Sequence, residues 1–353
     1  ESILFEDWFN YSAKDSQQSP LLTVSVPLGL QMGKNPGTIT NQGALLEVKS
    51  GNTLGLIGGD INQIGGELRL EGGGGHINLV SLGDNSRINL NSILGGWELD
   101  SSNSESFQDI QLTQGTLVDV SGAASASINI AARNFTLSDN SKFQADNRGD
   151  LSGGSITIKA NSSILIQENS EIITQTFGEG NAGDMELYAP KITLENDGDI
   201  TSVAVSGSGN AGAISIEAQD IVLSKSPDFT DSRTSGIVSV TLDKGNGSNI
   251  SLIADSITFN PGSVTNFTNS EGSSGTTTLK AKTIEIFNGG GATLTRGSGN
   301  GGDLNFITDT FYASTDQGYT ASSSGSGKAG NINIIAGRTN IIEYEAEFVS
   351  STS

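Results

Sequence analysis

The chain has 353 residues, a formal net charge of −21 and a pI of about 4.2. That balance excludes nucleic acid as a partner, because the chain repels phosphates instead of releasing their counterions. The absence of cysteine excludes disulfides, thiolate metal sites and a cysteine nucleophile. Only 16% of residues are charged, too few for a disordered acidic chain, and the apolar residues recur at regular spacing.

In chain order, the first 125 residues read as short strands punctuated by glycine. The runs are Leu22-Thr-Val24-Ser-Val26, Leu45-Leu-Glu-Val48, Leu54-Gly-Leu56-Ile57, Leu68-Arg-Leu70, Ile77-Asn-Leu79-Val80, Ile110-Gln-Leu112 and Leu117-Val-Asp-Val120. The pairs Gly58-Gly59, Gly65-Gly66 and Gly95-Gly96 separate some of them. Residues 1–125 are expected to hold irregular coils with insertions, and Asp84–Phe107, carrying Trp97, a protruding loop.

From residue 126 to 353 one phrase repeats: apolar, any, apolar, any, Ala. Its anchors are Ile128, Ile156, Met185, Ile214, Ile250, Thr277, Leu304 and Ile332. They lie about 28 residues apart, except where Ser224–Ser235 lengthens one interval. Each unit carries two further alternating pairs, such as Ile192/Leu194 and then Ile200/Ser202. A period of two means strands with one buried face. Each unit closes on a glycine turn, as in Gly178-Glu-Gly180-Asn-Ala-Gly183 and Gly207-Ser-Gly209-Asn-Ala-Gly212. Glycine and Asn tolerate positive φ, which suits a sharp corner.

Three such strands are too short to pair as hairpins with their neighbours in sequence. Wound as a coil, each pairs in parallel with its counterpart one turn along. The expected fold is an all-β, right-handed parallel β-helix, a solenoid with three short strands per coil of about 28 residues. About a dozen coils rising by one strand spacing give a rod about 60 Å long. Ile130, Ile158, Leu187, Ile216, Leu252, Phe306 and Ile334 should form one internal stack.

These phrases resemble the filamentous-haemagglutinin-like exoproteins of two-partner secretion, especially the repetitive cyanobacterial ones. The matching stretches are Leu21-Leu-Thr-Val-Ser-Val-Pro-Leu-Gly-Leu30, Gly51-Asn-Thr-Leu-Gly-Leu-Ile-Gly-Gly59, Ile110-Gln-Leu-Thr-Gln-Gly115, Val118-Asp-Val-Ser-Gly122 and Phe177-Gly-Glu-Gly-Asn-Ala-Gly183. The resemblance implies a secreted, cell-surface adhesive fibre of a Gram-negative-type bacterium, with an outer-membrane secretion partner. The lack of cysteine suits a chain that crosses membranes unfolded. The family's amino-terminal secretion domain is not recognisable in these phrases, so the chain is expected to come from the repeats downstream of it. The missing initiator Met, and a last coil that stops mid-pattern at Ser353, point the same way. An uncapped solenoid end also implies copies stacking end to end.

No catalytic residue, cofactor or metal site is expected. His76, the one histidine, begins a strand after Gly72–Gly75, and reads as a corner residue without the orienting partner a base needs. The glycine run is no phosphate loop, because no Lys-Ser/Thr follows it. One alternative is a carbohydrate-active β-helix enzyme, a polysaccharide lyase or hydrolase; the pectin-cleaving ones gather several Asp on one face beside a base or calcium. Here Asp139, Asp150, Asp184, Asp220 and Asp255 occur singly, and the same-face pair Asp197/Asp199 has no basic residue in register. Glu343, Glu345 and Glu347 share one strand face and are candidate calcium ligands, read here as a charged edge that discourages strand pairing. A glycan-binding rod using Tyr11, Trp97 and Tyr319 is the other alternative.

Overall fold

The computed structural model describes residues 2–5, 10–12, 26–93, 96–229, 233–269, 271–314, 318–341 and 348–352. Among them every regular element is a strand. Two long sheets of parallel strands, one of them eleven strands deep, run the length of the solenoid. The chain is all-β and winds as a parallel β-helix. In the regular repeats, strands such as Ser127–Leu137, Ile156–Gln167, Met185–Glu195 and Ile214–Ser224 carry the first two pairs of each unit around one corner. The third pair forms the second sheet, in strands such as Glu171–Thr176 and Asp199–Ala204.

Register is set by the alternation of apolar side chains. Ile130 lies opposite Leu79 on one side and Ile158 on the other, and the column continues through Leu187, Ile216, Leu252, Leu279 and Phe306 to Ile334. The expected stack is therefore present, longer by Leu279 and by Leu79. A one-residue slip would turn every one of these side chains to solvent, so the register is strongly specified. A register shift after Ala132 sets Phe135 opposite Ile164. One hydrophobic cluster runs unbroken from Ile61 to Tyr319, with Ile39 and Leu46 at one end and Ile334 and Phe348 at the other packed against it.

Side-chain bonds between coils report the turn length directly. Asn41 and Gln63 are 22 residues apart, Thr116 and Ser141 25, Thr174 and Ser202 28, Asn210 and Asn246 36, and Asn246 and Ser273 27. The 36-residue turn is the one that contains Ser224–Ser235. Asparagines form a ladder along one corner: Asn181 Oδ1 accepts from the backbone N–H of Asn210, and Asn210 Oδ1 from that of Asn246.

The glycine turns differ from expectation in their reason. In the two turns quoted above, only Gly207 has positive φ. The others are needed for close approach between coils: a Cβ on Gly183 would overlap the carbonyl oxygen of Gly154, and one on Gly212 that of Gly183. Paired left-handed residues occupy another corner instead, as Gln114-Gly115, Asp139-Asn140, Glu168-Asn169 and Asn196-Asp197.

The first 125 residues hold more than coils. Strands Gly96–Asp100, Arg87–Ile93, Pro27–Gln31, Ser2–Phe5 and Asn10–Ser12 pair in that order as a five-stranded antiparallel sheet. The sheet stands beside the expected irregular coils, and Asp84–Phe107 differs from the protruding loop expected there. That segment is largely a β-hairpin, because Ile88/Leu90 and Trp97/Leu99 alternate on either side of a glycine pair. Within Leu22–Val26 only Val26 lies among the described residues, exposed and just ahead of the strand Pro27–Gln31.

Candidate functional site

The antiparallel sheet departs from the repeat and rests on the outer face of the solenoid. Strands Thr53–Gly58, His76–Ser81 and Ser127–Leu137 are coil strands whose inward residues fill the core. Their outward residues Ile57, Val80 and Ala131 are apolar too, and meet Leu30, Met32, Ile88, Leu99 and Phe107 in a second cluster. Met32 N–H donates to the Ser86 carbonyl, extending the pairing within the antiparallel sheet, and Leu82 N–H to that of Gly58, extending the coil ladder beneath it. Thr53 Oγ1 accepts from Trp97 N–H at 3.0 Å and seats the hairpin.

The turn leading from this sheet into the first coil is fixed from both sides. Asn35 has φ 56° and its N–H donates to Asp84 Oδ1 at 2.9 Å. The Gly37 carbonyl accepts from Gly59 N–H at 2.9 Å, and a Cβ on Gly59 would overlap the Pro36 carbonyl. Asn35-Pro36-Gly37 and Gly58-Gly59 thus form one interlocked corner.

Residues 1–131 match the TPS secretion domain. The match supports a two-partner-secretion exoprotein, which leaves through an outer-membrane transporter partner for the cell surface or the extracellular space. It also corrects the expectation that the secretion domain lies outside this chain: the matched segment contains the antiparallel sheet and the first coils. It ends inside the strand Ser127–Leu137, so secretion domain and repeats share one hydrophobic core. No curated protein and no solved structure matches the chain.

The residues singled out in the sequence are scattered along the rod. His76 lies between Thr53 and Ser127 in the parallel ladder, half-buried; desolvation lowers its pKa and nearby Glu98 acts against that shift. Gly72 to Gly75 all have positive φ and make a tight corner against Asn52 and Ala124.

The acidic residues mostly join coils. Asp184 Oδ1 accepts from Ala213 N–H at 2.7 Å, Asp220 from the Ser256 hydroxyl at 2.7 Å, and Asp255 pairs with Lys282 at 2.8 Å. The Asp197/Asp199 pair does have a basic neighbour: Arg233, from the Ser224–Ser235 insertion, reaches Asp197 at 2.5 Å and Asn169 at 2.7 Å. Sequence spacing hid this, because an insertion carries the arginine back across the coil. Asp199 accepts from Gly236 N–H at 2.7 Å; burial and then the Asp197 charge push its pKa up to about 7.

Glu343, Glu345 and Glu347 lie outside the described residues. Among the described residues no group of three His, Cys, Asp or Glu is placed to hold a metal. Tyr319 is corrected as a glycan platform: it is fully buried, stacked on Phe348 and edge-on to Phe306. Its ring occupies space that Gly291, one coil back, leaves open. Tyr11 is exposed and Trp97 half-buried on separate strands.

Proposed function

We propose that this chain is a structural and adhesive module of a secreted cell-surface fibre of the cyanobacterial type, without catalytic activity. The observation that carries the reading is a matched secretion domain whose core continues without a seam into a stiff repeat. The antiparallel sheet serves recognition by the outer-membrane transporter, and the coils, wound right-handedly, serve as the rod. Parallel pairing also suits export, since each coil emerging outside adds its strands to the coil before it.

Self-association is part of the same proposal. Parallel strands that pair coil on coil suit head-to-tail contact between copies, and such contact that does not close into a ring gives a filament. Surface glycans are the adhesion target in this reading.

Co-expression tests export. The full chain should reach the medium or cell surface only with its outer-membrane transporter, and residues 132–353 alone should remain in the periplasm. Export of that truncated chain would refute the assignment. Negative-stain images and light scattering of purified material test stacking, and a homogeneous monomer at all concentrations would end that part of the proposal. Turnover of a polysaccharide that is lost in Asp199→Asn would favour the enzyme alternative.

A further inference from the structure

The outer face of the second sheet changes character along the rod. In its first coils one outward column reads Glu47, Arg69, Asp119 and Gln144. Over the next five coils the same column continues as Ile173, Thr201, Val238, Thr265 and Ala292. Beside it, two residues farther along each strand, stand Gln175, Val203, Val240, Phe267 and Leu294. Neither run contains a charge, on a chain whose net charge is −21.

A third column widens the patch. Phe177, Val205 and Leu242 prolong their strands, their N–H groups donating to the carbonyls of Asn147, Thr176 and Ala204 one coil back. Leu242 is 46% exposed and Phe177 39%. Charge returns at the two ends: Arg148 lies over the Phe177 ring at 6.0 Å, and Arg296 over that of Phe267 at 5.2 Å. Among the described residues these outward apolar side chains join neither hydrophobic cluster, unlike Ile57, Val80 and Ala131 under the antiparallel sheet. Strand propensity does not account for the patch, because it acts on both sheets alike. In the first sheet an outward column of these coils includes Lys159, Tyr188, Glu217 and Lys280.

Charge and area together select a second copy as the occupant. Two rods this acidic repel wherever their carboxylates meet, and contact across this face brings none to its centre. Interfaces between proteins show the same distribution, a centre depleted of charge with Arg enriched. Two sheet faces pack about 10 Å apart with their side chains interdigitated. Five coils about 4.8 Å apart and three columns about 6.7 Å apart give a footprint of about 480 Å² on each copy. The pair would bury about 1,000 Å², the least that specific interfaces need, so the contact is weak.

We propose that two copies pair side by side through this face about a two-fold axis, forming a dimer of rods. The proposal deepens the self-association described above and rests on it for its setting. The two contacts differ in stoichiometry: an isologous face closes at two copies, whereas end-to-end stacking stays open. Val240 sits in the middle column of the third of the five coils, so the axis places it opposite its counterpart.

Sedimentation velocity of the purified full chain tests the pairing. Monomer should pass to dimer in the micromolar range and stop there. Val240→Lys should raise the dissociation constant at least about tenfold. Thr258→Lys, at an outward position of the first sheet, should leave it unchanged. Thermal melts of both variants should match that of the parent. Because the chain has no cysteine, Val240→Cys and Thr258→Cys each carry a single thiol. A bis-maleimide long enough to span two facing sheets should join the first into a covalent dimer and leave the second monomeric. A parent that stays monomeric throughout overturns the proposal, as does dimerisation undiminished by Val240→Lys. Growth past two copies that survives Val240→Lys overturns it in favour of end stacking alone. A closed dimer without filaments upholds it and removes the end stacking instead. Capture of monomer by phosphatidylcholine vesicles, lost in Val240→Lys, overturns it in favour of a lipid surface.

Discussion

The outer face of the long sheet shows the same chemistry at its two ends with opposite results. In the first coils the outward residues Ile57, Val80 and Ala131 are apolar and lie under the antiparallel sheet. In the same column near the other end, Ile253, Ile307 and Ile335 are also apolar, with Lys280 between the first two, but Ile335 is 63% exposed. Between them Lys159, Tyr188 and Glu217 occupy the column. The solenoid core is indifferent to what its outer face carries, since alternation assigns inner and outer residues to separate surfaces. The coils can therefore repeat freely, and specific function is added by covering one stretch of the outside.

The largest expected effect contrasts inner with outer face. Ile216→Asp places a carboxylate between Leu187 and Leu252 in a fully buried column. Its cost should be about 5 kcal/mol or more, the range reserved for uncompensated buried charge. Because coils contact only their neighbours, denaturant melts should split into two transitions for the segments either side of the lesion. Ile335→Asp, on the exposed column, should stay within about 0.5 kcal/mol of the parent. Equal effects at the two sites would mean the assigned register is wrong.

Second in size is the corner. Gly212→Ala drives a methyl into the Gly183 carbonyl, whereas Gly37→Ala meets nothing within 4 Å. Overpacking of this kind should cost about 1–3 kcal/mol at Gly212, read as a lower urea midpoint, against little change at Gly37. A neutral Gly212→Ala would return the glycine to a role in φ alone.

A loss of comparable size, but local, should come from Ile88→Ala. Ile88 is fully buried in the second cluster, apart from the solenoid core. Hydrogen exchange should quicken in Pro27–Gln31 and Arg87–Ile93 while Met185–Glu195 keeps its protection. The local opening free energy should fall by about 2–4 kcal/mol. Uniform loss across the chain would show that sheet and solenoid open together.

The solenoid was legible because its signal is repeated: eight anchors and their alternating pairs agree on one register, and a single substitution such as Thr277 for Ile does not obscure it. The antiparallel sheet has no second copy in the sequence. Its hairpin carried a signal in Ile88, Leu90, Trp97 and Leu99 around Gly95-Gly96, but the glycines also read as punctuation between coils. Pairing of Pro27–Gln31 with both Ser2–Phe5 and Arg87–Ile93 joins segments far apart in sequence, which no local period encodes. The contact of Asn78 with Asn129 was hidden for the same reason: the two become neighbours only because the hairpin's insertion is looped out between their coils.

The smallest expected effect lies where another insertion folds back, and concerns pH. Asp199 is pushed up to about 7 by burial and by Asp197, with Glu171 adding to the shift while Gly236 N–H and Arg233 oppose it. A carboxyl whose folded pKa exceeds its unfolded value favours the fold when protonated. Its contribution is fully present below the unfolded value near 3.8 and is lost as pH rises through about 7. Asp109 acts oppositely: hydrogen bonds from Arg133 lower its pKa, so its contribution is present above the unfolded value and is lost as pH falls through the folded one. Between about pH 5 and 8 the Asp199 effect should therefore dominate this pair, with stability rising as pH falls. Asp199→Asn should flatten that slope, and Arg133→Gln should leave it intact while weakening the chain at every pH in the window. Urea midpoints measured across the window decide between them. A slope that survives Asp199→Asn would place the titrating group elsewhere, and would separate the Ser224–Ser235 insertion from any role in the pH response of the rod.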